Sequence, residues 1–395
     1  MAGAMKKTIQ IMGGLLLGCV MSIAAFQPAL GDWEMKAGRL EGTPGKIVVR
    51  DHGRGLSRVR IDAKGLWYKV SECGLKLCLD LSKRGLRAAI PVRGGLVDGK
   101  TSRGKHDIRK AWLSKPTRRY THGNLGDAIE AGALSVVDHK ASTHHFSLPS
   151  NEVFEDRYAR IVDLDGDKKD EIVVVLSSIH KGSSLAVFKL TGEGLAKVAQ
   201  TPFLNRRGAW LNPVGFGDFD GDGKVEIAFV SNPDFGGQLE IWEYSSGTLI
   251  HEMSLSGFSN HVPGSRILKM GVVADFDGDG KVDLALPSGD RKALRIISLA
   301  AGMVAEPAHL NLPGRIVTDI VKVKIKRKPV IVAGLDSGIV VVISNGATKT
   351  DDDIPNWYKR NNGTSLLHGL VERNRRRNEA RRSGQRREYG KSHLQ

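Results

Sequence analysis

Three acidic segments recur along the chain at nearly constant spacing, and nothing else in the sequence restricts its fold as strongly. They read Asp163-Leu-Asp165-Gly166-Asp167-Lys-Lys-Asp170-Glu171-Ile172, Asp218-Phe-Asp220-Gly221-Asp222-Gly223-Lys-Val-Glu226-Ile227 and Asp275-Phe-Asp277-Gly278-Asp279-Gly280-Lys-Val-Asp283-Leu284. Their first aspartates lie 55 and 57 residues apart. Each segment runs into an apolar β-type stretch (Ile172 to Leu176, Ile227 to Val230, Leu284 to Leu286), then a Gly- or Ser-containing turn, then a second alternating stretch beginning at Leu185, Leu239 or Leu294. A unit that repeats at this length cannot bury its apolar face alone and must stack on copies of itself.

Short strands between Gly-rich turns, repeated at about 50 residues, predict four-stranded antiparallel blades stacked radially so that both faces are covered. The expected fold class is therefore all-β, a β-propeller with cation-loop repeats, and helical periodicity is nearly absent between residues 150 and 350. The 47 glycines among 395 residues fit a chain rich in tight turns. A fourth copy is expected at Val317-Thr318-Asp319, followed by Val330 to Ala333 and by Gly338 to Val341. There Lys322, Lys324, Lys326 and Arg327 stand where carboxylates would be, so this copy should hold no cation. Upstream, Ala111 to Leu113 and Leu134 to Val137 look like strands of another blade. Residues 32–105 carry alternating runs (Ile47 to Val49, Val59 to Ile61, Leu75 to Leu79) that fit a divergent N-terminal β region or an extra blade. Dividing 32–350 by the period suggests about six blades, with five or seven as neighbouring solutions. The chain then divides into a leader, 1–31, the divergent β region, 32–105, the propeller, 106–350, and a basic tail, 351–395.

Loops rich in carboxylate oxygen suit hard cations, and Ca2+ accepts six to eight oxygens in a flexible shell. Side chains at loop positions 1, 3, 5 and 9 supply Asp163, Asp165, Asp167 and Glu171 in the first copy. In the second they are Asp218, Asp220, Asp222 and Glu226, and in the third Asp275, Asp277, Asp279 and Asp283. Up to three Ca2+ ions are expected; Mg2+ fits less well because it demands tighter octahedral geometry. Gly223 and Gly280 at position 6 permit a left-handed turn, whereas the first copy has Lys168 there, at a cost of about 1 kcal/mol. The first site should be the weakest. An EF-hand is excluded, since position 12 is Val174, Phe229 or Leu286 rather than a bidentate Glu.

Lys6 and Lys7 precede a charge-free stretch from Thr8 to Gly31, and Ala29-Leu30-Gly31 offers small residues for cleavage before Asp32. This is the pattern of a secretory leader, which predicts a periplasmic or extracellular protein with no membrane span after cleavage. A lipoprotein modified at Cys19 and an uncleaved N-terminal anchor are the other readings. Cys73 and Cys78 then remain as a candidate disulfide, in keeping with an oxidising compartment, with a pair of buried thiols as the alternative. At the other end, residues 357–395 hold eleven Lys or Arg against three Glu, a net +8 that is half of the chain's +16. Such a run reads as a solvated, disordered extension, or as a contact for anionic lipid or lipopolysaccharide. Nucleic acid is a poor fit, because aromatic stacking motifs are missing.

The three D-x-D-G-D-x-x-x-[DE]-[IL] segments resemble the FG-GAP or VCBS repeats, the calcium-loop propellers of integrin α-subunit heads and of many exported bacterial proteins. Flanking text such as Thr117 to Gly123, Leu125 to Ala131, Phe154 to Arg157 and Asn260 to Arg266 is similar to an exported bacterial branch of that family. The resemblance implies a cation loop joining the first two strands of each blade. Its functional range runs from adhesion and glycan binding to occasional polysaccharide lyases. Outside the loops, Arg157, Arg207, Asn260, His261, Arg266 and Arg291 lie near equivalent blade edges, where they could line a central channel for an anionic sugar or a carboxylate. Their other reading is as inter-blade hydrogen bonds. No nucleophile elbow, zincin motif, P-loop or dinucleotide fingerprint occurs, and no catalytic residue is assigned. The expected role is a binding module at the bacterial envelope with a protein or glycan ligand. The alternative is a carbohydrate-active enzyme, a lyase or hydrolase, on the same scaffold.

Overall fold

The computed structural model describes residues 33–51, 57–73, 76–82, 92–300, 303–325 and 328–346. The leader and the basic tail lie outside the described residues. Every described regular element is a strand, apart from one short 3-10 turn at Pro233–Phe235.

Strand β1, Trp33–Arg39, is not hydrogen-bonded to the strands that follow it next in the chain. Strands β2 (Pro44–Asp51), β3 (Ser57–Ala63), β4 (Leu66–Cys73) and β5 (Lys76–Ser82) form an antiparallel sheet in chain order. Next come β6 (Ile108–Thr117), β7 (Glu130–Asp138) and β8 (Thr143–Ser147), paired consecutively. Strands β9 (Glu152–Phe154) and β10 (Arg160–Val162) both bond to one edge of β11 (Glu171–Ser178), which continues to β12 (Gly182–Thr191) and β13 (Gly194–Gln200). Two four-stranded sheets in chain order follow. One is β14 (Leu211–Gly217), β15 (Glu226–Ser231), β16 (Gly237–Ser245) and β17 (Thr248–Phe258); the other is β18 (Val272–Ala274), β19 (Asp283–Pro287), β20 (Ala293–Ala300) and β21 (Met303–Asn311). Last are β22 (Val321–Ile325), β23 (Lys328–Gly334) and β24 (Ile339–Asn345), and β1 completes their sheet by pairing with β24. The 32–105 and 106–350 regions thus share a sheet.

Two expectations change in detail. Segment 108–200 is not divided into two separate four-stranded sheets, because β9 bonds to both β11 and β7 and fuses them into one eight-stranded sheet. In the fourth copy, Lys322 and Lys324 lie on strand β22, and only residues 326–327 separate β22 from β23. Two residues therefore stand where the other copies have an eight-residue acidic connection, and Asp319 precedes the strand that should have preceded it.

The second strand of most sheets is buried along its whole length: β11, β15 and β19 have no exposed position. A strand covered on both faces reads as a continuous apolar run, as Ile172-Val-Val-Val-Leu176 does, and it needs a packed neighbour on each side. Five apolar clusters supply those neighbours in chain order. Phe154, Ile172 and Phe188 pack on Leu113, Leu134 and Val136. Val173 and Val187 pack on Ile227 and Phe229, and Val230 and Leu239 on Leu284 and Leu286. Ala285 and Ile296 meet Ile331 and Ile343, while Val332 and Val342 meet Ile47 and Ile61. Close approaches tighten the first strands too: a Cβ on Gly215 of β14 would lie 2.5 Å from Val273 of β18.

Strand β1 covers the edge of β24 from Trp33↔Asn345 to Arg39↔Ile339. Deleting residues 33–39 would expose that row of backbone donors and acceptors, an invitation to edge pairing. The truncated chain is expected to unfold at a lower temperature and to associate with itself. Thermal unfolding with size-exclusion chromatography checks this, and an unchanged monomer would show that β1 is dispensable.

Candidate metal centres

Each acidic loop joins a short strand to the fully buried strand beside it: β10 to β11, β14 to β15 and β18 to β19. The three loops share one hydrogen-bond network. In the second, the Gly221 and Gly223 N–H groups donate to the two oxygens of Asp218 at 2.7 and 3.0 Å. The Asp222 N–H donates to Asp220 and the Lys224 N–H to Asp222. The Phe219 N–H donates to Glu226 Oε2 at 2.7 Å. Equivalent donations run to Asp163, Asp165, Asp167 and Glu171 and to Asp275, Asp277, Asp279 and Asp283. Gly223 and Gly280 have φ near 90°, and Lys168 adopts a φ of 63° at the same position, a strained conformation for a residue with a Cβ.

In every loop the carboxylate at position 9 begins the second strand and is buried, and its neighbours decide what the loop can hold. At the second loop, carboxylate oxygens of Asp218, Asp220, Asp222 and Glu226 lie within 4.8 Å of one another. Glu226 is 1% exposed, and its Oε1 has no hydrogen-bond donor. A buried carboxylate oxygen without a donor, beside three other carboxylates, is costly unless a cation completes it. Burial first, then Glu252, Asp220 and Asp218, push Glu226 up to about 7, against the opposing Phe219 N–H. Its cross-strand partner on β16 is Glu243, which holds Lys224 at the rim at 2.9 Å.

The first loop differs for a reason unrelated to its turn. Glu171 pairs across the strands with Lys189 of β12. The Lys189 ammonium lies 2.7 Å from Glu171 Oε1, 2.9 Å from Asp167 and 3.3 Å from Asp165. Burial opposes the charge on Lys189, but the three carboxylates outweigh it and hold its pKa above the ordinary lysine value. Asp167 is drawn to this lysine and drops out of the cluster, which retains Asp163, Asp165 and Glu171. The first loop carries its own cation. At the third loop Asp275, Asp277 and Asp279 cluster, while Asp283, pushed up to about 6 chiefly by burial, accepts a hydrogen bond from Ser298 of β20. One cross-strand position therefore reads lysine, glutamate and serine in successive repeats. Sequence reasoning named the twelve loop carboxylates and missed Lys189; the available signal was the hairpin register, which sets residue 189 opposite 171 once the turn after Ser178 is placed.

The remaining candidates form separate groups rather than one pocket. Arg157 and Arg266 both reach Asp98, at 2.9 and 3.2 Å, and Arg266 also reaches Asp127 at 2.7 Å. Asn260 and Asn212 exchange side-chain-to-backbone hydrogen bonds. His261 is fully buried against Trp210, between Asp234 at 3.3 Å and the Ser265 carbonyl, and Arg291 donates to the His261 carbonyl. Arg207 is exposed. His122 meets the buried Glu155 at 2.6 Å, a hydrogen bond that raises the His122 pKa against its burial. Glu155 also accepts from Ser177. Cys78 on β5 is disulfide-bonded, and Cys73 ends the adjacent strand β4.

Removing the internal ammonium should open the first loop to metal. Lys189→Met is expected to add one divalent-cation equivalent, or to tighten the weakest site at least tenfold, in a calorimetric titration. Unchanged stoichiometry and affinity would mean that Lys189 does not compete. A pH dependence follows from the raised carboxyls. Glu226 and Asp283 bind protons more tightly in the folded state than in the unfolded one, so their contribution to metal-free stability is present below the ordinary carboxylate range and is lost as pH rises through about 6 to 7. A bound cation needs both deprotonated. The gap between metal-loaded and chelated unfolding midpoints should thus be small at about pH 5 and widen through about pH 7.5; a gap independent of pH would remove these carboxylates from the ligand set.

Residues 163–229 and 218–286 match the FG-GAP-like repeat family, in two overlapping stretches that each begin at an acidic loop and end in the buried strand after the next one. No curated protein matches the chain. Residues 163–286 are thus FG-GAP-like repeats.

Proposed function

We propose that the chain is an exported β-propeller of six blades, stabilised by calcium in its second and third acidic loops, that serves as a binding module at the bacterial envelope. The observation that carries the calcium reading is the second loop, where three aspartates face a buried, donor-less Glu226 oxygen. Six oxygens or more, on a backbone already folded by its own N–H donations, suit Ca2+ better than Mg2+. Closure into a propeller is supported by the serial face-to-face packing and by the return of β1 to the sheet of β22–β24. The leader, with its two lysines and long apolar stretch, supports export, and so does the bonded Cys78. In this reading the basic tail supplies a contact for anionic lipid or lipopolysaccharide, and the ligand is a protein or glycan of the envelope. An enzyme on the same scaffold has less support, because Arg157, Arg266, His261 and Arg291 spend their polar atoms bracing neighbouring segments.

Thermal unfolding of residues 32–395, after chelation and then with Ca2+ or Mg2+, tests the proposal. A ligand at a hundred times its dissociation constant stabilises by about 2.7 kcal/mol per site, so Ca2+ should raise the midpoint by several degrees and Mg2+ by much less. Asp220→Ala together with Asp277→Ala should abolish the rise. An absent rise would reduce the acidic loops to turns. Binding to immobilised envelope polysaccharide, present with Ca2+ and lost on chelation, would support the module reading, and failure to bind any envelope fraction would end it.

A further inference from the structure

A second concentration of charge lies away from the acidic loops, where the first strands of several sheets come together around Tyr158. Lys100 Nζ sits 5.3 Å from the centre of that ring, Lys269 Nζ 5.5 Å and the Arg160 guanidinium 4.6 Å. A ring has two faces, so at least two of these three cations share one. Arg160 is neutralised by the buried Asp156 at 2.6 Å, and Arg157 by Asp98. The two lysines have no such partner. Neither Lys100 nor Lys269, nor the neighbouring Lys46 of β2, makes an ion pair among the described residues. Asp319 accepts the Lys269 backbone N–H and acts on Lys100 only through space. Two ammonium groups therefore share one ring without an ion-pair partner among the described residues. Lys100 registers the imbalance: burial lowers its pKa first, Asp319 pulls the other way, and Arg157, Lys269 and Lys46 lower it further. Its side chain is nevertheless exposed, as are those of Lys46 and Lys269, so solvent and small solutes reach the group.

We propose that Lys100 and Lys269, both held at the Tyr158 ring, form a site for one oxyanion group, a carboxylate or sulfate, bound between ammonium groups that lack carboxylate partners. The aromatic ring fixes the lysine stems and keeps the cations at the site, each such contact being worth about 0.5 to 2 kcal/mol. The incoming anion relieves their mutual repulsion and gains charge-assisted hydrogen bonds. The groups come from different parts of the chain: Lys100 from the segment before β6, Tyr158 and Arg160 at β10, Lys269 before β18 and Asp319 before β22. The site therefore exists only when those sheets are assembled. It needs no cation in the acidic loops, so it stands or falls independently of the calcium reading. The groups differ from the arginines singled out in the sequence, which the structure engages elsewhere.

The probes are sulfate and a linear trimer of galacturonate, titrated calorimetrically into the full chain at matched ionic strength. Chelator is present, so that no loop-bound cation bridges to a carboxylate, and circular dichroism verifies that the chain is folded. One saturable equivalent is expected with at least one probe. Affinity should fall at least tenfold in Lys100→Met and in Lys269→Met, stay unchanged in Lys140→Met on the exposed β7–β8 turn, and be largely restored in Lys100→Arg. Tighter binding of the trimer would identify a polymer-borne carboxylate as the ligand, and tighter binding of sulfate a free mineral anion. No saturable binding of either probe, or equal affinity in the two lysine-to-methionine variants, overturns the site.

Discussion

A strand buried on both faces cannot be finished by its own sheet. That constraint governs this molecule, because β11, β15 and β19 each present apolar side chains to two sides at once. These strands must therefore be covered on both sides, and five apolar clusters do so: one inside the eight-stranded sheet and four between sheets that pack face to face. At about 25 cal/mol per Å2 of apolar surface removed from water, these clusters are the main favourable term in folding. The acidic loops sit where a half-buried strand hands over to a fully buried one. Their position-9 carboxylates are the last polar groups before the core, and their burial follows from that place in the chain.

Repetition made much of this legible. The loop spacing, the strand pairs after each loop and the ligand positions 1, 3, 5 and 9 are all local properties, and the three loops have one hydrogen-bond pattern because they have one local sequence. Register was harder to read. Lys189 acts on Glu171 from eighteen residues away, and only the hairpin turn between them decides whether residue 189 or a neighbour stands opposite. The fourth copy misled for a similar reason: Asp319 keeps the look of a first loop residue, yet the segment after it is itself the first strand. Convergence across sheets was not legible at all. Arg157 and Arg266 look like candidates for a shared channel, and they do meet, but at Asp98, which lies far from both in sequence. Lys100 and Lys269 carry no motif, and their common ring, Tyr158, is identified only by three-dimensional proximity.

The three repeats also show how one backbone motif is neutralised in different ways. A buried carboxylate at the start of a strand must be compensated. The first repeat uses an ammonium from the next strand, and the third has a hydroxyl on one oxygen. The second leaves one oxygen open among aspartates. A single cross-strand position thus separates a loop whose buried carboxylate meets an internal ammonium from one whose carboxylate keeps an oxygen without an internal donor.

The pairing of β1 with β24 has a consequence for geometry outside the sheets. Trp33 lies opposite Asn345, so the first described strand begins where the last one ends. The chain therefore enters and leaves the described sheets at neighbouring points on one edge. A tether on either end fixes the position of the other, and a surface that captures one end comes within reach of both.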